Sequence, residues 1–405
     1  MLTLSATFRH RSAAGAALSL ALLLSACGTA AEGDDKEFDV LFIGGITGPT
    51  AATVKATTSA LEAAAQSINE ANGVNGRRIK LHFKNSQADP TRAVSLLQES
   101  LSGSNPPDAV IPSGSSAEAL ALVPLLTRKK IVSVSFGASP LLNDPKKYPY
   151  HFQTAPSSAA QLVGLRPLLE KKGIKSLGVL VSKDEYGKGV VQAIKAQMAG
   201  SDIKVNAFEF VATDVDLSVS YRRMLATDPG FVFLDTTGEA AVRLMQARVQ
   251  AGGTNIPTAA GIGMSLTAGG PYKYGSREAN TNLEILVFKV EVAVPESSQS
   301  PTFKDFYKRY SGGKPIANSL STPSLAWDEL RLLAAAGARP GALDKTPGSL
   351  VKAFYDLKMP EGHWLTETQF TYTPDRHTPI PPPDDFPFIP SSPQVNGQYQ
   401  VKSAS

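Results

Sequence analysis

FDVLFIGGITGPTAATVKATTSALEAAAQSINEANGVNGRRIKLHFK (residues 38–84) combines two kinds of hydrophobic pattern in one stretch. Its first part, 38–46, is an almost continuous apolar run that ends in glycines, which is typical of a buried strand. Apolar residues then recur at helical spacing over 53–72, and Gly73 follows where a helix would end. Residues 78–84 alternate between apolar and polar side chains, which predicts a second strand. A strand, a helix and a strand in this order predict a parallel sheet covered by helices.

The same alternation of strand-like and helix-like stretches continues along the chain in two blocks. The first block adds strands at 109–111 and 131–135, with a helix between them that starts near Ser115. The second block follows Gln153, and its predicted strands are 176–182, 203–211, 231–235 and 256–260. Because each block is about the size of one domain, we expect an α/β protein with two similar, doubly wound parallel-sheet lobes.

Beyond the second block the pattern is less regular. The run 282–294 predicts a long strand that would pass between the lobes, and 366–373 predicts a further strand. The proline-dense stretch 379–393 predicts an extended, irregular segment near the C-terminus. Helices are predicted near 301–311, 323–337 and 348–357.

The only cysteine in the 405 residues, Cys27, follows a short basic segment, an apolar run at 13–24 and two small residues. This order is typical of a secretory signal peptide, since the apolar run is shorter than the roughly 20 residues that cross a bilayer. Residues 24–27, LSAC, also resemble the lipobox of bacterial lipoproteins, in which the cysteine carries diacylglycerol and becomes the N-terminus. An ordinary signal peptide with a chance cysteine is the alternative. We expect a signal peptide at 1–26, lipidation at Cys27, a tether at 27–37 and anchoring to the outer face of the cell membrane.

Composition excludes several classes of function. Hydrophobic residues make up 42% of the chain and charged residues 19%, which favours a folded core over disorder. The net charge of +4 is nearly balanced, and no basic cluster is interleaved with aromatic residues, so a nucleic-acid partner is not expected. The five histidines lack metal-ligand spacing, and no nucleophile elbow, P-loop or dinucleotide fingerprint is present. We therefore expect no enzyme activity, no metal and no cofactor.

Polar residues follow the predicted strands at the places where ligands bind open parallel sheets, beyond the strands' carboxyl ends. The ends in question are 47–49, 113–116, 135–139, 183–186, 235–237 and 261–263. Hydroxyls and backbone N–H groups at a helix N-terminus suit a carboxylate or another anion. Ser115 and Glu118 also fit a capping box, so Ser115 is equally a helix cap, while Ser116 would face the cleft.

Six stretches of the chain share their order and spacing with one protein family. They are GGITGPTA (44–51), INEANGVNGRRIKL (68–81), SGSSAEALALVPLLTRKKIVSVSFGASPLL (113–142), FQTAPSSAAQ (152–161), DEYGKGV (184–190) and FVFLDTTGEAAVRLMQARVQAG (231–252). Together they resemble the leucine/isoleucine/valine-type (type I) substrate-binding proteins of ABC importers. The resemblance implies two lobes joined by three crossovers, a small-molecule ligand in the cleft between them, and delivery of that ligand to an ABC permease. With crossovers placed near 150–155, 288–294 and 364–370, lobe 1 would comprise 38–152 and 291–364, and lobe 2 would comprise 153–290 and 366–405.

When each motif is matched to the family separately, the resemblance also implies individual ligand contacts. Ser116 matches the family's serine after the third strand, and Gly137 and Ser139 match its donors after the fourth. In amino-acid binders these groups hold the ligand's carboxylate. Tyr186 matches the cleft tyrosine of the EYG motif.

Three positions depart from the family's pattern. Thr53 stands where an aromatic residue commonly follows GP in the family, and Thr237 stands where the family has a second-lobe tyrosine. The position of the acid that pairs with the ligand's ammonium falls on Ile262. An unpaired ammonium buried in a closed cleft is costly. Either another acid replaces the missing one, or the ligand carries no ammonium and is a small carboxylate- or amide-bearing molecule. The candidate acids are Asp184, Glu185, Asp235 and Glu239.

These observations favour a lipid-anchored, monomeric binding protein that closes on a small, amino-acid-like ligand by hinge rotation of its lobes. Besides the residues already named, Asp235, Thr237 and Ile262 are candidate ligand contacts. A ligand sensor of the same fold, which passes its closed state to a signalling partner, is an alternative. A secreted hydrolase that uses Ser115 or Ser116 would need a general base nearby, and no histidine is positioned by sequence to supply one.

Overall fold

The computed structural model describes residues 37–400 apart from 49, 138, 268, 269 and 356. The predicted signal peptide, Cys27 and the rest of the tether up to residue 36 lie outside the described residues. Among the described helices, none is both long and apolar enough to cross a bilayer.

The first sheet has the strand order β2-β1-β3-β4-β5, and all its pairings are parallel. Its strands are β1 (Glu37–Gly44), β2 (Arg78–Asn85), β3 (Ala109–Pro112), β4 (Val132–Ser135) and β5 (His151–Gln153). The helices that connect them are α1 (Ala51–Glu70), α2 (Pro90–Ser102) and α3 (Ser116–Lys129). Helix α2 begins after Asp89, whose carboxylate accepts the Thr91 N–H at 2.7 Å, and Pro90 occupies the first helical position, where no N–H is needed.

The second sheet has the strand order β11-β10-β9-β8-β6-β7. Its strands are β6 (Ser176–Ser182), β7 (Lys204–Phe210), β8 (Phe231–Asp235), β9 (Thr258–Ala260), β10 (Leu283–Leu286) and β11 (Phe388–Pro390). Only the edge strand β11 is antiparallel to its neighbour. Its helices are α4 (Ser158–Gln161), α5 (Leu165–Lys171), α6 (Glu185–Met198), α7 (Ser218–Leu225), α8 (Glu239–Gln250), α9 (Ile262–Leu266) and α10 (Pro271–Tyr274).

The later part of the chain joins the two sheets. Helices α11 (Pro301–Ser311) and α12 (Ser321–Gly337) pack against α1, and α13 (Ser349–Phe354) packs on α12. The chain then returns to the second sheet as β11 and ends in a short hairpin of β12 (Gln394–Val395) and β13 (Gln398–Tyr399). It passes between the sheets three times, and the expected architecture of two doubly wound lobes is confirmed. We call each sheet with the helices packed on it a lobe; the lobe boundaries named from the sequence stay a prediction.

Two predicted strands in the joining segments are wrong. Within 282–294 only β10 is extended, because a tight turn begins at Phe288, where the Glu291 carboxylate accepts the Phe288 N–H at 3.0 Å. Residues 366–373 are irregular apart from isolated bridges near the end. Side chains take the place of a neighbouring strand there, since Asp385 accepts the Thr368 N–H at 2.7 Å.

A single apolar cluster runs through both lobes. It includes Phe42 of the first sheet, Trp327 of α12 and Phe233 of the second sheet, all fully buried. Phe152, at the end of the first sheet, stacks on Phe354 with ring centroids 4.1 Å apart. The joining segments are therefore part of the hydrophobic core that both lobes share.

Candidate functional site

Ser115 is the N-cap of α3. Its hydroxyl accepts the Glu118 N–H at 3.5 Å, as half of the predicted capping box requires. The other half does not form, because the buried Glu118 carboxylate accepts the Ser86 hydroxyl instead. Ser115 therefore serves as a cap, and its contact with a ligand stays a prediction.

Ser116, Gly137 and Ser139 lie together at the carboxyl ends of β3 and β4. The Ser116 hydroxyl accepts the Ser139 N–H at 3.2 Å, and a Cβ on Gly137 would lie 3.5 Å from Ser116 Oγ. Ser139 is 1% exposed, and its hydroxyl accepts the Leu141 N–H at 3.3 Å. The Gln153 amide donates to the carbonyls of Gly137 and Ser139, which holds this loop against the end of β5. Residues predicted from two separate loops thus form one polar cluster, which we call the serine cluster.

On the second lobe, Tyr186 and Asp235 form a hydrogen-bonded pair. The Tyr186 hydroxyl donates to Asp235 Oδ2 at 2.8 Å and accepts the Gly263 N–H at 3.0 Å. A Cβ on Gly261 would lie 2.1 Å from Asp235 Oδ2, so only glycine leaves room for the carboxyl group at this position. The glycines that follow β9 therefore shape the pocket of a buried acid.

Burial governs the protonation of this pair. It raises the pKa of Asp235 to about 7, although the hydrogen bond from Tyr186 opposes the rise. Burial and the neighbouring carboxyl raise the pKa of Tyr186 well above its ordinary value, so the phenol remains protonated and donates. Asp235 Oδ1 has no hydrogen-bond partner. The backbone N–H groups of Met264, Thr236 and Gly263 lie near the carboxyl and also oppose the rise in its pKa.

The other second-lobe candidates differ sharply in exposure. Thr237 is exposed, and Ile262 is 3% exposed within the apolar cluster. Of the acids considered as replacements, Asp184 caps α6 by accepting the Gly187 N–H at 2.8 Å. Glu185 and Glu239 are exposed and pair with lysine and arginine on their own helices. Among these four acids, only Asp235 is buried.

The two lobes meet beside the serine cluster. A Cβ on Gly189 of α6 would lie 3.2 Å from Pro140 Cδ, directly after Ser139, and 3.7 Å from Ser158 Oγ. Helix α12 also contacts both β4 and α9. The serine cluster is therefore enclosed by elements of both lobes.

Sequence patterns did not single out Glu329, which lies on the α12 side of the same region. It is fully buried, and neither of its carboxyl oxygens has a hydrogen-bond partner. Burial raises its pKa well above the ordinary value, opposed by the nearby Phe136 N–H and Thr154 hydroxyl. The available signal was the pair of acids Asp328 and Glu329 inside the mostly apolar stretch 325–337, and it does not separate one from the other.

The serine hydroxyls at the end of the first sheet hold backbone groups. Within residues 37–400 as described, the hydroxyls of Ser115 and Ser116 bond to backbone N–H groups and to no histidine. The nearest histidine along the sheet, His151, bonds to Ser133 at 2.9 Å, and burial lowers its pKa to about 3. In the same described part, no three His, Cys, Asp or Glu side chains are grouped as a metal site would require.

Residues 38–382 match the sequence model of a family described as periplasmic binding protein. No protein of curated function matches the chain in sequence. A type 1 periplasmic binding protein from Bordetella pertussis Tohama I is similar in structure, with 18% identity, a TM-score of 0.73, and 89% of this chain and 98% of that chain covered. The solute-binding protein of an ABC transporter from Rhodopseudomonas palustris, in complex with benzoate, has 18% identity, a TM-score of 0.72, and coverage of 89% and 94%. LivJ from Streptococcus pneumoniae, in complex with isoleucine, has 21% identity, a TM-score of 0.66, and coverage of 84% and 93%.

Proposed function

Because this chain belongs to the periplasmic binding protein family, we propose that it is a monomeric extracytoplasmic lipoprotein that captures a small, amino-acid-like ligand for an ABC importer. The ligand lies between the two lobes, in contact with the serine cluster. Hinge rotation of the lobes buries it, and the permease receives the closed form.

The observation that carries this proposal is a group of buried polar atoms without partners around the serine cluster. Such atoms are uncommon in folded proteins, because an unpaired buried donor or acceptor costs free energy. Those nearest the cluster belong to Gln153 (Oε1), Thr154 (Oγ1), Ser158 (Oγ) and Glu329 (both carboxyl oxygens). A polar ligand held there would satisfy them.

The serine cluster supports a carboxylate at one end of the ligand. The hydroxyls of Ser116 and Ser139 each accept a bond from a backbone N–H and keep their own hydrogens to donate, and such donors suit a carboxylate. The benzoate and isoleucine of the two similar proteins both carry a carboxylate. This likeness supports the same class of ligand here.

Replacing Ser116 or Ser139 by alanine is expected to weaken ligand binding about tenfold or more, since each change removes a hydrogen bond to a charged group. Calorimetry should be run with the tightest binder from a thermal-shift screen of amino acids, carboxylates and amides. Ser95, an exposed serine on α2, provides the matched control, and Ser95→Ala should leave affinity unchanged. Unaltered affinity in both cluster variants would contradict this assignment.

Lipid anchoring rests on Cys27 and predicts where the protein is found in cells. Cys27→Ala is expected to move the protein from the membrane fraction to the soluble fraction, because no thiol is left to carry the lipid. Fractionation and labelling with a palmitate analogue would measure both effects. If Cys27→Ala stays with membranes and the wild-type protein takes up no label, the anchor proposal is wrong.

A further inference from the structure

Two acidic residues, Asp328 and Glu329, lie next to each other on α12, and both are fully buried. Asp328 accepts the backbone N–H groups of Leu365 and Thr366 at 3.0 and 2.9 Å, so it has a clear structural role. Neither oxygen of Glu329 accepts a hydrogen bond of normal geometry, although the Phe136 N–H and the Thr154 hydroxyl lie near it. The fold therefore explains the first acid and leaves the second without a partner.

The surroundings of Glu329 are those of the serine cluster. The groups that act on its pKa are the Phe136 N–H, Asp328 and the Thr154 hydroxyl, and none of them is a cation. Phe136 directly precedes Gly137, and Thr154 directly follows Gln153, which donates to the Gly137 carbonyl. Glu329 thus lies on the inner wall of the region where the proposed function places the ligand.

The unpartnered atoms in this region are mostly acceptors. When Glu329 is ionised, both of its oxygens can accept hydrogen bonds, as can Gln153 Oε1 and the hydroxyls of Thr154 and Ser158. A buried carboxylate is stabilised when it pairs with a cation that also donates hydrogen bonds. An ammonium group meets both needs, since it carries three donors and a positive charge.

We propose that Glu329 is the residue that recognises a cationic ammonium group on the ligand. This inference rests on the proposed function, because it assigns one wall of the same ligand site. The ligand is then a zwitterion, with its carboxylate at the serine cluster and its ammonium at α12.

Glu367 provides a matched control for this residue. It is 1% exposed, and both of its carboxyl oxygens also lack a hydrogen-bond partner. The charges that act on it belong to Asp385, Lys289 and Asp328, all outside the serine cluster. A Glu→Gln change at 367 thus removes a similarly buried acid whose charged neighbours are not part of the serine cluster.

The test compares paired probes that differ only in the ammonium group. The pairs are L-isoleucine with 3-methylpentanoate, L-phenylalanine with 3-phenylpropanoate, and L-glutamine with 4-carbamoylbutanoate. Calorimetry of the wild-type protein should show at least tenfold tighter binding of an amino acid than of its partner without the amine. Glu329→Gln should abolish that preference and change the affinity for the amine-free partner less than twofold, while Glu367→Gln should keep the preference.

Each other outcome has a defined meaning. An unchanged preference in Glu329→Gln, or equal binding of both members by the wild-type protein, overturns the role of Glu329 and leaves the proposed function intact. No binding of any probe by the wild-type protein overturns the proposed function and this inference with it. If Glu329→Gln does not fold, Glu329→Asp is tested instead, since it keeps the charge on a shorter side chain. It should still bind the amino acid more tightly than the amine-free partner, but more weakly than the wild-type protein does. An equal loss of affinity for the amino acid and for its amine-free partner would overturn the inference.

Discussion

Replacing Gly187 by alanine is expected to destabilise the protein by about 3 kcal/mol or more, because there is no room for a side chain at this position. A Cβ on Gly187 would lie 1.9 Å from the carbonyl oxygen of Ser182, which is the last residue of β6. That oxygen belongs to the backbone of a buried strand and cannot rotate away. The start of α6 would have to move, although Asp184 holds it through the Gly187 N–H at 2.8 Å.

The same movement should affect the site, since Tyr186 directly precedes Gly187. Its hydroxyl would lose its alignment with Asp235, so ligand affinity should fall together with stability. Thermal unfolding and calorimetry measure the two effects on one sample. Gly103→Ala is the control, because the nearest atom to its added Cβ is 3.6 Å away and its backbone is not left-handed. A Gly187→Ala protein with the melting temperature of Gly103→Ala would show that the clash is relieved without cost.

Replacing Asp328 by alanine is expected to cost about 2–6 kcal/mol, because it leaves two buried N–H groups unpaired at about 1–3 kcal/mol each. The groups are those of Leu365 and Thr366, and the Thr366 hydroxyl, which donates to the same carboxyl at 2.8 Å, loses its acceptor as well. These bonds fix the segment that leads from α13 back to the second lobe. Denaturant unfolding would measure the loss, and Asp328→Asn should lose less, since its amide oxygen still accepts a bond.

The effect of Asp328→Ala should also depend on pH. Burial raises the pKa of Asp328 from 3.8 to about 6 in the folded protein, opposed by the hydrogen bonds from Thr366 and Leu365. A group with a raised folded pKa contributes stability that is fully present below its unfolded pKa and is lost as pH rises through its folded value. The cost of Asp328→Ala should therefore be larger near pH 4 than at pH 8. The exposed Asp384 is the control, and an Asp384→Ala protein with the same loss would contradict the role of Asp328.

Local patterns in the sequence predicted residues that the structure brings together. Ser116, Gly137 and Ser139 follow strands whose apolar runs are plain in the sequence, and the carboxyl ends of parallel strands meet at one edge of a sheet. The capping box at Ser115 was predicted only in part. Glu118 bonds to Ser86, which is 32 residues away, and no local pattern records such a partner.

The strand predicted at 366–373 does not form, although the local sequence favours one. Its threonines and aromatics have high strand propensity, but propensity is decided by what lies beside the segment. Here Asp328 and Asp385 accept the backbone N–H groups that a neighbouring strand would have bonded. Carboxylates from distant parts of the chain thus replaced the ladder of a sheet.

The sequence alone determined the alternation of strands and helices, the two parallel sheets and the polar loops at their ends. These follow from hydrophobic period, caps and glycines, which act over a few neighbouring residues. Only the tertiary structure decided which acids lose contact with water. Asp235 and Glu329 look like other acids in the sequence, and their burial arises from packing between segments that are far apart along the chain. The energy of a carboxyl group depends on its solvation and on its partners, so no local pattern could have separated these two acids from the others.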